Sequence, residues 1–265
     1  RPSHPELLEW LATEFLRQGW SRKALIRTIV LSRTYRQASD HRPELLDRDP
    51  KNRLLARQNC FRVEAEIIRD LTLAASGLLS RKVGGPSVFP PIPDGVADVN
   101  YNSAFKWVPS EGADRYRRGL YTYFKRTAPH PALITFDCPD SNVTNLQRAR
   151  SNTPLAALIT LNGESFVEAA QALARRVLME KPDGGDGARI EHAFRLCLSR
   201  APAPSERDRL VRLLREARAW YLQRTPEAEA LAGNALPDAL SPGEAAAWTA
   251  TVRVLLNLDE FLTRG

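Results

Sequence analysis

Long apolar runs, closely spaced cysteine pairs and glycine-rich phosphate loops are all missing from this sequence of 265 residues. No apolar run approaches the roughly 18 residues that a membrane-spanning helix needs. The three cysteines, Cys60, Cys138 and Cys197, form no C-x-x-C pair, which excludes a C-x-x-C-H haem attachment and a cysteine-rich zinc site within this stretch. One disulfide with one free thiol remains compatible with the count. A glycine-rich phosphate loop is absent as well.

Methionine is almost absent, and the chain does not begin with one. Met179 is the single methionine, and the opening residues RPSHPELLEWLATEF are not a charged-then-apolar signal sequence. We therefore expect a piece of a longer protein, with any targeting signal outside it. Because Met179 has no evident paired histidine and no attachment motif is present, we expect no cofactor in this fragment.

Positive charge exceeds negative charge over the chain. There are 38 lysines and arginines against 31 acids, which gives a formal net charge of +7. Such an excess suits nucleic acid, an anionic glycan or an acidic lipid surface as a partner. The basic residues are mostly arginines spread along helical stretches with acids between them, which is typical of a solvated, salt-bridged surface. Composition leaves these alternatives open.

Helix caps and apolar spacing predict a mainly α fold, with several helices in a bundle-like or orthogonal arrangement. Asp49, Thr153, Thr225 and Ser241 each precede a proline, so the side chain can cap a helix whose first residue lacks an N–H at no cost. Ser3 to Glu6 has the spacing of a capping box. We predict helices over residues 4–18, 21–32, 50–80, 154–180, 187–199, 204–224 and 242–263, and Asn162-Gly163 suits a break in the fourth.

Residues 81–113 interrupt the helical pattern with one long irregular insertion. The stretch GGPSVFPPIPDG is rich in proline and glycine, which is typical of a surface cover or a binding loop. The insertion separates an N-terminal helical part, residues 1–80, from a C-terminal helical part, residues 114–265, and we expect one compact domain overall. In the first helix the apolar stripe is expected to face the core of the domain; it consists of Leu7, Leu8, Leu11, Phe15 and Leu16.

Six motifs, taken in order, resemble one known family. They are SHPELLEWLATEF, WSRKALIRTIVLSRTYRQAS, DPKNRLLARQNCFRVEAEIIRD, RRGLYTYFKRTAPHPALITFDCPDS, NTPLAALITLN with FVEAAQALARRVL after it, and LLNLDEFLTR. Together they resemble the C-terminal planctomycete-specific domain of unknown function, which is found in large exported proteins of planctomycetes and related bacteria. The resemblance extends over almost the whole chain.

The resemblance implies an exported, periplasmic or cell-surface location but no established activity. Members commonly carry this domain after a cytochrome-c-like region and a second planctomycete-specific domain. The implied partners are therefore upstream domains of the same polypeptide, and covalent haem c would belong to one of them. After Asp137 and Asp140, this chain has Ser141, Asn142 and Thr144 where members usually have arginine, glutamate and cysteine. A family site at this place would be weakened or retuned here.

Two aspartates and one histidine are the candidate catalytic residues. Asp137 and Asp140 lie three residues apart, and in one cleft they could act as acid and base or hold a cation. Aspartates beside proline are also ordinary turn and cap residues. His130 stands between two prolines and could be a general base, although a histidine without a partner at ligand spacing is commonly structural. The stretch offers too few oxygen ligands for us to predict a metal.

A candidate anion-binding edge follows the same segment. Arginine forks bind sulfate, phosphate and carboxylate through two parallel hydrogen bonds, and the first turn of the helix beginning at Pro154 adds partial positive charge. The alternative is that the arginines pair with acids of the domain itself. The predicted anion-binding residues are Arg126, Arg148, Arg150, Asn152 and Thr153.

Three classes of function follow from these observations. The first is an accessory helical module that binds a partner domain or an anionic extracellular polymer, such as a sulfated glycan. The second is a hydrolytic or polysaccharide-processing enzyme that uses Asp137 and Asp140. The third and least favoured is a nucleic-acid-binding domain, because two helices joined at QGWS have helix-turn-helix spacing, while Ile26, Ile29 and Leu31 are expected to be occupied by packing.

Overall fold

A computed structural model describes residues 2–40, 42–45, 47–93, 106–237 and 239–264. The chain divides into two compact units: Arg1–Phe61 with Thr263–Gly265, and Arg62–Leu262. Within the described residues it is mainly helical, as predicted, with eleven α-helices and a sheet of two short strands, β1 (Phe61–Arg62) and β2 (Thr263–Arg264). The sequence-based division at 81–113 remains a prediction. No described helix is both long enough and apolar enough to cross a bilayer.

The first unit contains a pair of packed helices, α1 (Pro5–Arg17) and α2 (Arg22–Leu31). Gly19 and Trp20 reverse the chain between them with φ angles of 63° and 62°. Ser21 caps α2 by accepting a hydrogen bond from the Ala24 N–H at 3.3 Å. The capping box predicted from Ser3 is not formed, because His4 takes the N-cap position and makes no side-chain cap bond.

The apolar stripes of α1 and α2 do not face a core. Neither helix has a buried residue. Leu8, Leu16, Ile26 and Leu31 each keep more than half of their surface exposed. The expectation of packing is therefore wrong for these four residues, whereas Leu11 and Phe15 of α1 are half-buried. The exposed residues give the helix pair an amphipathic surface.

The helix predicted over residues 50–80 is mostly absent. Only α3 (Ala65–Ser76) forms there. Asp49 uses both carboxylate oxygens to accept the N–H groups of Arg53 and Leu54, at 2.8 and 2.7 Å, which closes a turn instead of starting a helix. Asn52 and Leu55 then have positive φ angles, 47° and 55°, that a right-handed helix cannot contain.

The second unit is built around one buried helix. Its helices after α3 are α4 (Pro131–Thr135), α5 (Pro154–Asn162), α6 (Glu164–Glu180), α7 (Asp186–Leu198), α8 (Pro204–Leu222), α9 (Thr225–Ala232), α10 (Pro242–Leu256) and α11 (Asp259–Leu262). Helix α10 packs against α6, α8 and α9. Trp248 of α10, Leu173 of α6 and Leu214 of α8 are fully buried. The predicted break at Asn162-Gly163 is present. Helix α4 was not predicted, and α9 begins at Thr225-Pro226, where a helix start but no helix range was predicted.

Extended and turn segments before α4 are fastened to α3 and to each other. Residues 112–116 and 119–121 form short 3-10 helices. Gly119 lies so close to α3 that a Cβ there would stand 2.4 Å from the Glu66 carbonyl oxygen, so only glycine fits. Arg117 is fully buried, donates to the Pro86 and Gly84 carbonyls, and stacks 3.7 Å from the ring centre of Tyr121.

Candidate functional site

Asp137 lies just after α4 and is held on several sides. Its carboxylate accepts the Ser151 N–H at 2.7 Å and the Ser151 hydroxyl at 2.9 Å, and it forms an ion pair with Arg62. Burial alone raises the pKa of Asp137, but the Ser151 hydrogen bonds and the Arg62 charge outweigh it and hold the pKa below its ordinary value. Asp137 is thus a charged residue that ties distant segments together.

Arg62 is the cation of the ion pair with Asp137. It is only 7% exposed. Its guanidinium donates to the carbonyls of Ser151 at 2.6 Å, Val63 at 3.2 Å and Phe136 at 3.3 Å, in addition to Asp137. Every guanidinium nitrogen of Arg62 therefore has a partner. Through these bonds Arg62 joins the chain just before α3 to the turn after α4 and to Ser151.

Asp140 has a different environment. It is exposed, and it accepts the Asn142 N–H and the Asn142 side-chain amide, both at 3.0 Å. These hydrogen bonds lower the pKa of Asp140. The geometry is that of a local turn stabilised by an aspartate. Among the residues that the structure describes, Asp137 and Asp140 have no common hydrogen-bonding partner, and their acid and base roles remain predictions.

His130 caps α4 with its ring. Nδ1 accepts the Ala132 N–H at 3.2 Å, so Nε2 carries the proton and donates it to the Pro91 carbonyl at 3.0 Å. Burial lowers the pKa of His130 to about 4. Both ring nitrogens are occupied and the ring is neutral at pH 7, so the described geometry provides no free nitrogen for a general base.

Arg148 is joined to an acid at the start of α3. Its Nη1 lies 2.7 Å from the Glu66 carboxylate and 3.8 Å from that of Glu64. Burial raises the pKa of Glu66, and the hydrogen bond and charge of Arg148 reverse this and lower it. The Cys138 thiol approaches the same carboxylate at 3.8 Å, and burial raises the pKa of Cys138 to about 11. This thiol is protonated at pH 7 and suits packing better than nucleophilic attack.

The remaining predicted anion-binding residues are spread along the same segment. Asn152 donates to Asp259 at 3.1 Å, and Thr153 caps α5 by accepting the Ala156 N–H at 3.2 Å. Arg126 and Arg150 are exposed. Arg126 has no hydrogen bond or ion pair with any residue that the structure describes, whereas Arg150 has an interaction of its own. The structure therefore shows internal roles for Asn152 and Thr153, and their binding of an external anion remains a prediction.

A small cavity lies beneath this segment. Its volume is about 40 Å³, and its lining includes Arg69 of α3, Thr122, His130 and Ser165 of α6. The hydroxyls of Thr122 and Ser165 are buried and make no hydrogen bond within the described structure. No sequence pattern indicates this group, because residues 69, 122 and 165 are brought together only by the packing of α3, the segment before α4, and α6.

A wider, open cleft lies along α6. Its volume is about 620 Å³, and its lining includes Arg115, Glu164, Glu168 and Gln171. Arg115 joins the two glutamates, at 3.0 Å from each carboxylate. The spacing of Glu164 and Glu168, four residues apart, places both on one helix face, and this could have been read from the sequence. Their arginine partner could not.

The strongest uncompensated charge of the first unit lies on and after α2. No acid occurs between Glu14 and Asp40. In this interval lie five exposed cations with no ion pair or side-chain hydrogen bond to any residue that the structure describes. We call them the α2 basic surface: Arg22, Lys23, Arg27, Arg33 and Arg36.

Thiol and metal chemistry receive little support from the described residues. Cys60, Cys138 and Cys197 are all free thiols, and burial raises the pKa of Cys197 to about 12. Within the described ranges, histidine, cysteine, aspartate and glutamate form no group of three that could hold a metal ion. The prediction that this fragment carries no cofactor remains a prediction.

Comparison with known proteins gives a family without an assigned activity. Neither a curated protein nor a solved structure matches the chain. The model of the family described as PSD1, protein of unknown function (DUF1553), matches residues 1–214, which is most of the chain. The family resemblance seen in the ordered motifs is thereby confirmed, and the chain belongs to the PSD1 family of proteins of unknown function (DUF1553).

Proposed function

We propose that this domain is a non-catalytic helical module that binds an anionic polymer, such as a sulfated glycan, through the α2 basic surface. One observation carries the proposal: five exposed cations follow one another along a short segment with no acid among them. The run is longer than the one on α8, where three exposed arginines, Arg209, Arg212 and Arg215, lie between Asp208 and Glu216.

The arrangement of these cations suits a repeating anion. Arg22, Lys23 and Arg27 occupy the first turns of a ten-residue helix, about 15 Å long at 1.5 Å per residue. Arg33 and Arg36 continue the positive charge beyond its C-terminus. Arginine binds a sulfate through two parallel hydrogen bonds and is weakly hydrated, so its charge is easily transferred from water to such a ligand.

The proposed surface differs from the one that sequence analysis favoured. The charge of Arg148 is compensated by Glu66 at 2.7 Å, and the side-chain amide of Asn152 already donates a hydrogen bond to Asp259. An arginine already paired with a carboxylate gains less from a sulfate, because the internal ion pair must be given up first. The α2 cations lose no such partner.

The test is retention on dextran sulfate, with unsulfated dextran as the matched resin. We expect the protein to bind only the sulfated resin. The variant Arg22→Gln, Lys23→Gln, Arg27→Gln should elute at clearly lower salt. If each cation neutralises one sulfate, the slope of log K against log salt should fall by roughly 0.9 per lost contact, as for polyanions that release condensed counterions.

A control on α8 separates a site from net charge. The variant Arg207→Gln, Arg212→Gln, Arg215→Gln removes the same three charges from exposed positions, and it should elute near the unchanged protein. Equal losses in the two variants would show that only net charge matters, and equal retention on plain dextran would reject the proposal outright. Exposed charges contribute at most about 1 kcal/mol each to folding, so both variants should fold.

Duplex DNA distinguishes a nucleic-acid partner from a glycan. The helix pair α1 and α2 has helix-turn-helix spacing, and the α2 cations would also contact phosphates. We expect dextran sulfate to compete with DNA and to bind more tightly at equal charge. Tighter binding to duplex DNA, lost in the α2 variant, would replace the glycan by nucleic acid.

A second observation favours docking to another domain of the same polypeptide. The exposed apolar residues of α1 form a surface that water solvates poorly, and such patches mark interaction sites. We propose that upstream domains cover it. Leu8→Ser with Trp10→Ser should reduce the binding of an apolar dye and any self-association, whereas Leu222→Ser, at an exposed position at the end of α8, should not. Equal dye binding by all three proteins would contradict this.

The proposal agrees with an exported location and does not favour catalysis. Sulfated polymers are extracellular, so the proposal agrees with an exported protein, a location that rests on the family resemblance. Covalent haem c, if the full polypeptide carries it, is proposed for an upstream domain. For the hydrolytic alternative, no observation joins Asp137 and Asp140 in one cleft, and we do not favour it.

A further inference from the structure

The cavity of about 40 Å³ beneath α4 contains more hydrogen-bond donors than its walls can use. Arg69 donates from Nε to the Arg117 carbonyl at 3.1 Å and from Nη2 to the Arg115 carbonyl at 2.7 Å. Its Nη1 has no partner among the described residues. Arg69 also has no carboxylate within ion-pair distance there, although it is an arginine in the interior of the unit.

Two hydroxyls line the same cavity without a partner. The oxygens of Thr122 and Ser165 are buried and make no hydrogen bond within the described residues. Thr72, in the same lining, differs, because its hydroxyl donates to the Ile68 carbonyl at 2.8 Å. Buried donors without partners cost free energy, so an unpaired set around one cavity indicates a bound water or ion.

The charge of the cavity is positive. The nearby His130 is neutral and uses both ring nitrogens elsewhere. Burial lowers the pKa of Arg69 to about 10, against the attraction of Asp70 and Glu168, which means that its charge is incompletely compensated. The group that completes this cavity should therefore carry negative charge and accept hydrogen bonds.

We propose that the cavity binds one small monovalent anion such as chloride, held by the Arg69 guanidinium and the hydroxyls of Thr122 and Ser165. The volume admits about three water-sized positions at roughly 10–15 Å³ each, which is room for a halide but is tight for a branched oxyanion. The site is separate from the α2 basic surface, and its ligand is an internal ion, not a polymer.

The first experiment measures the melting temperature in sodium chloride and in sodium gluconate at equal ionic strength. An anion that binds only the folded protein stabilises it in proportion to ln(1 + [L]/Kd). We expect the melting temperature to rise with chloride concentration and to stay flat in gluconate. The double variant Thr122→Val, Ser165→Ala should lose most of this chloride-dependent rise.

Thr72→Val is the matched control, because Thr72 also lines the cavity but its hydroxyl already donates a hydrogen bond to the Ile68 carbonyl. It should keep the full chloride response, even if its overall stability falls. Crystals grown with bromide in place of chloride give a direct check, with an anomalous peak expected beside Arg69. Identical melting curves in the two salts, or water density without an anomalous peak, would overturn the proposal.

Discussion

Replacing Arg62 by methionine should destabilise the second unit strongly, because this side chain joins three segments. Methionine keeps the apolar stem but removes the ion pair with Asp137 and the hydrogen bonds to the Ser151, Val63 and Phe136 carbonyls. Breaking a buried ion pair from one side costs about 3–5 kcal/mol. Asp137 keeps its two bonds from Ser151 and is 21% exposed, so we expect a loss near the lower value, about 3 kcal/mol.

Urea unfolding at pH 7 measures this loss, with Arg126→Met as the control for the same substitution at an exposed arginine without a described partner. The control should change the free energy of unfolding by less than about 0.5 kcal/mol. Combining Arg62→Met with Asp137→Asn should cost less than the sum of the two single changes, because each removes the same ion pair. A loss for Arg62→Met no larger than that of the control would refute the reasoning.

The pH dependence of the Arg62 effect follows from the lowered pKa of Asp137. A carboxyl whose pKa is lower in the folded state contributes stability above its ordinary value of 3.8, and loses that contribution as the pH falls through the folded value. The difference between the original protein and Arg62→Met should therefore be constant from pH 7 to about 5 and shrink below 3.8. A difference that grows on acidification would contradict this assignment.

Three further predictions rest on single side chains. The pKa of His130 is about 4 in the folded protein, against an ordinary value of 6.5, so the unfolded chain takes up a proton first as the pH falls. The free energy of unfolding should therefore fall by about 3 kcal/mol between pH 6.5 and pH 4 and then level off. NMR titration of the ring should show no protonation above pH 5. Cys60 is exposed, whereas Cys138 and Cys197 have pKa values of about 11 and 12; a thiol reagent at pH 7 should label Cys60 first, and labelling of Cys138 at an equal rate would be inconsistent with its raised pKa. Thr153→Ala should cost about 1 kcal/mol through the lost helix cap, while Thr153→Ser should stay near the original stability in the same unfolding assay.

Local sequence signals predicted the helices where the deciding contacts are local. Thr153 and Ser241 do cap α5 and α10, and Gly163 does separate α5 from α6. The prediction over residues 50–80 failed although it used the same reasoning, because the Asp49 carboxylate serves a turn as readily as a helix start. A cap-like pair before an apolar stretch is therefore ambiguous until the backbone that follows is known.

The candidate site depends on contacts between residues that lie far apart in the sequence. Arg148 meets Glu66 across 82 positions, and Asp137 meets Arg62 across 75. Sequence analysis left open whether the arginines after Asp137 hold an external anion or the acids of the domain itself. For Arg148 the tertiary structure shows a bond to an internal acid, since a partly buried carboxylate requires a nearby cation.

The sequence by itself determined the helical class, the family and the absence of acids between Glu14 and Asp40. These depend on residue type and short spacing, which the chain carries in any conformation. Only the tertiary structure decided which charges remain free: it placed Arg62 and Arg148 against carboxylates, left the α2 basic surface in solvent, and brought Arg69, Thr122 and Ser165 around one cavity. Whether a charged side chain binds an internal or an external partner is set by distance in space, and distance along the chain does not fix it.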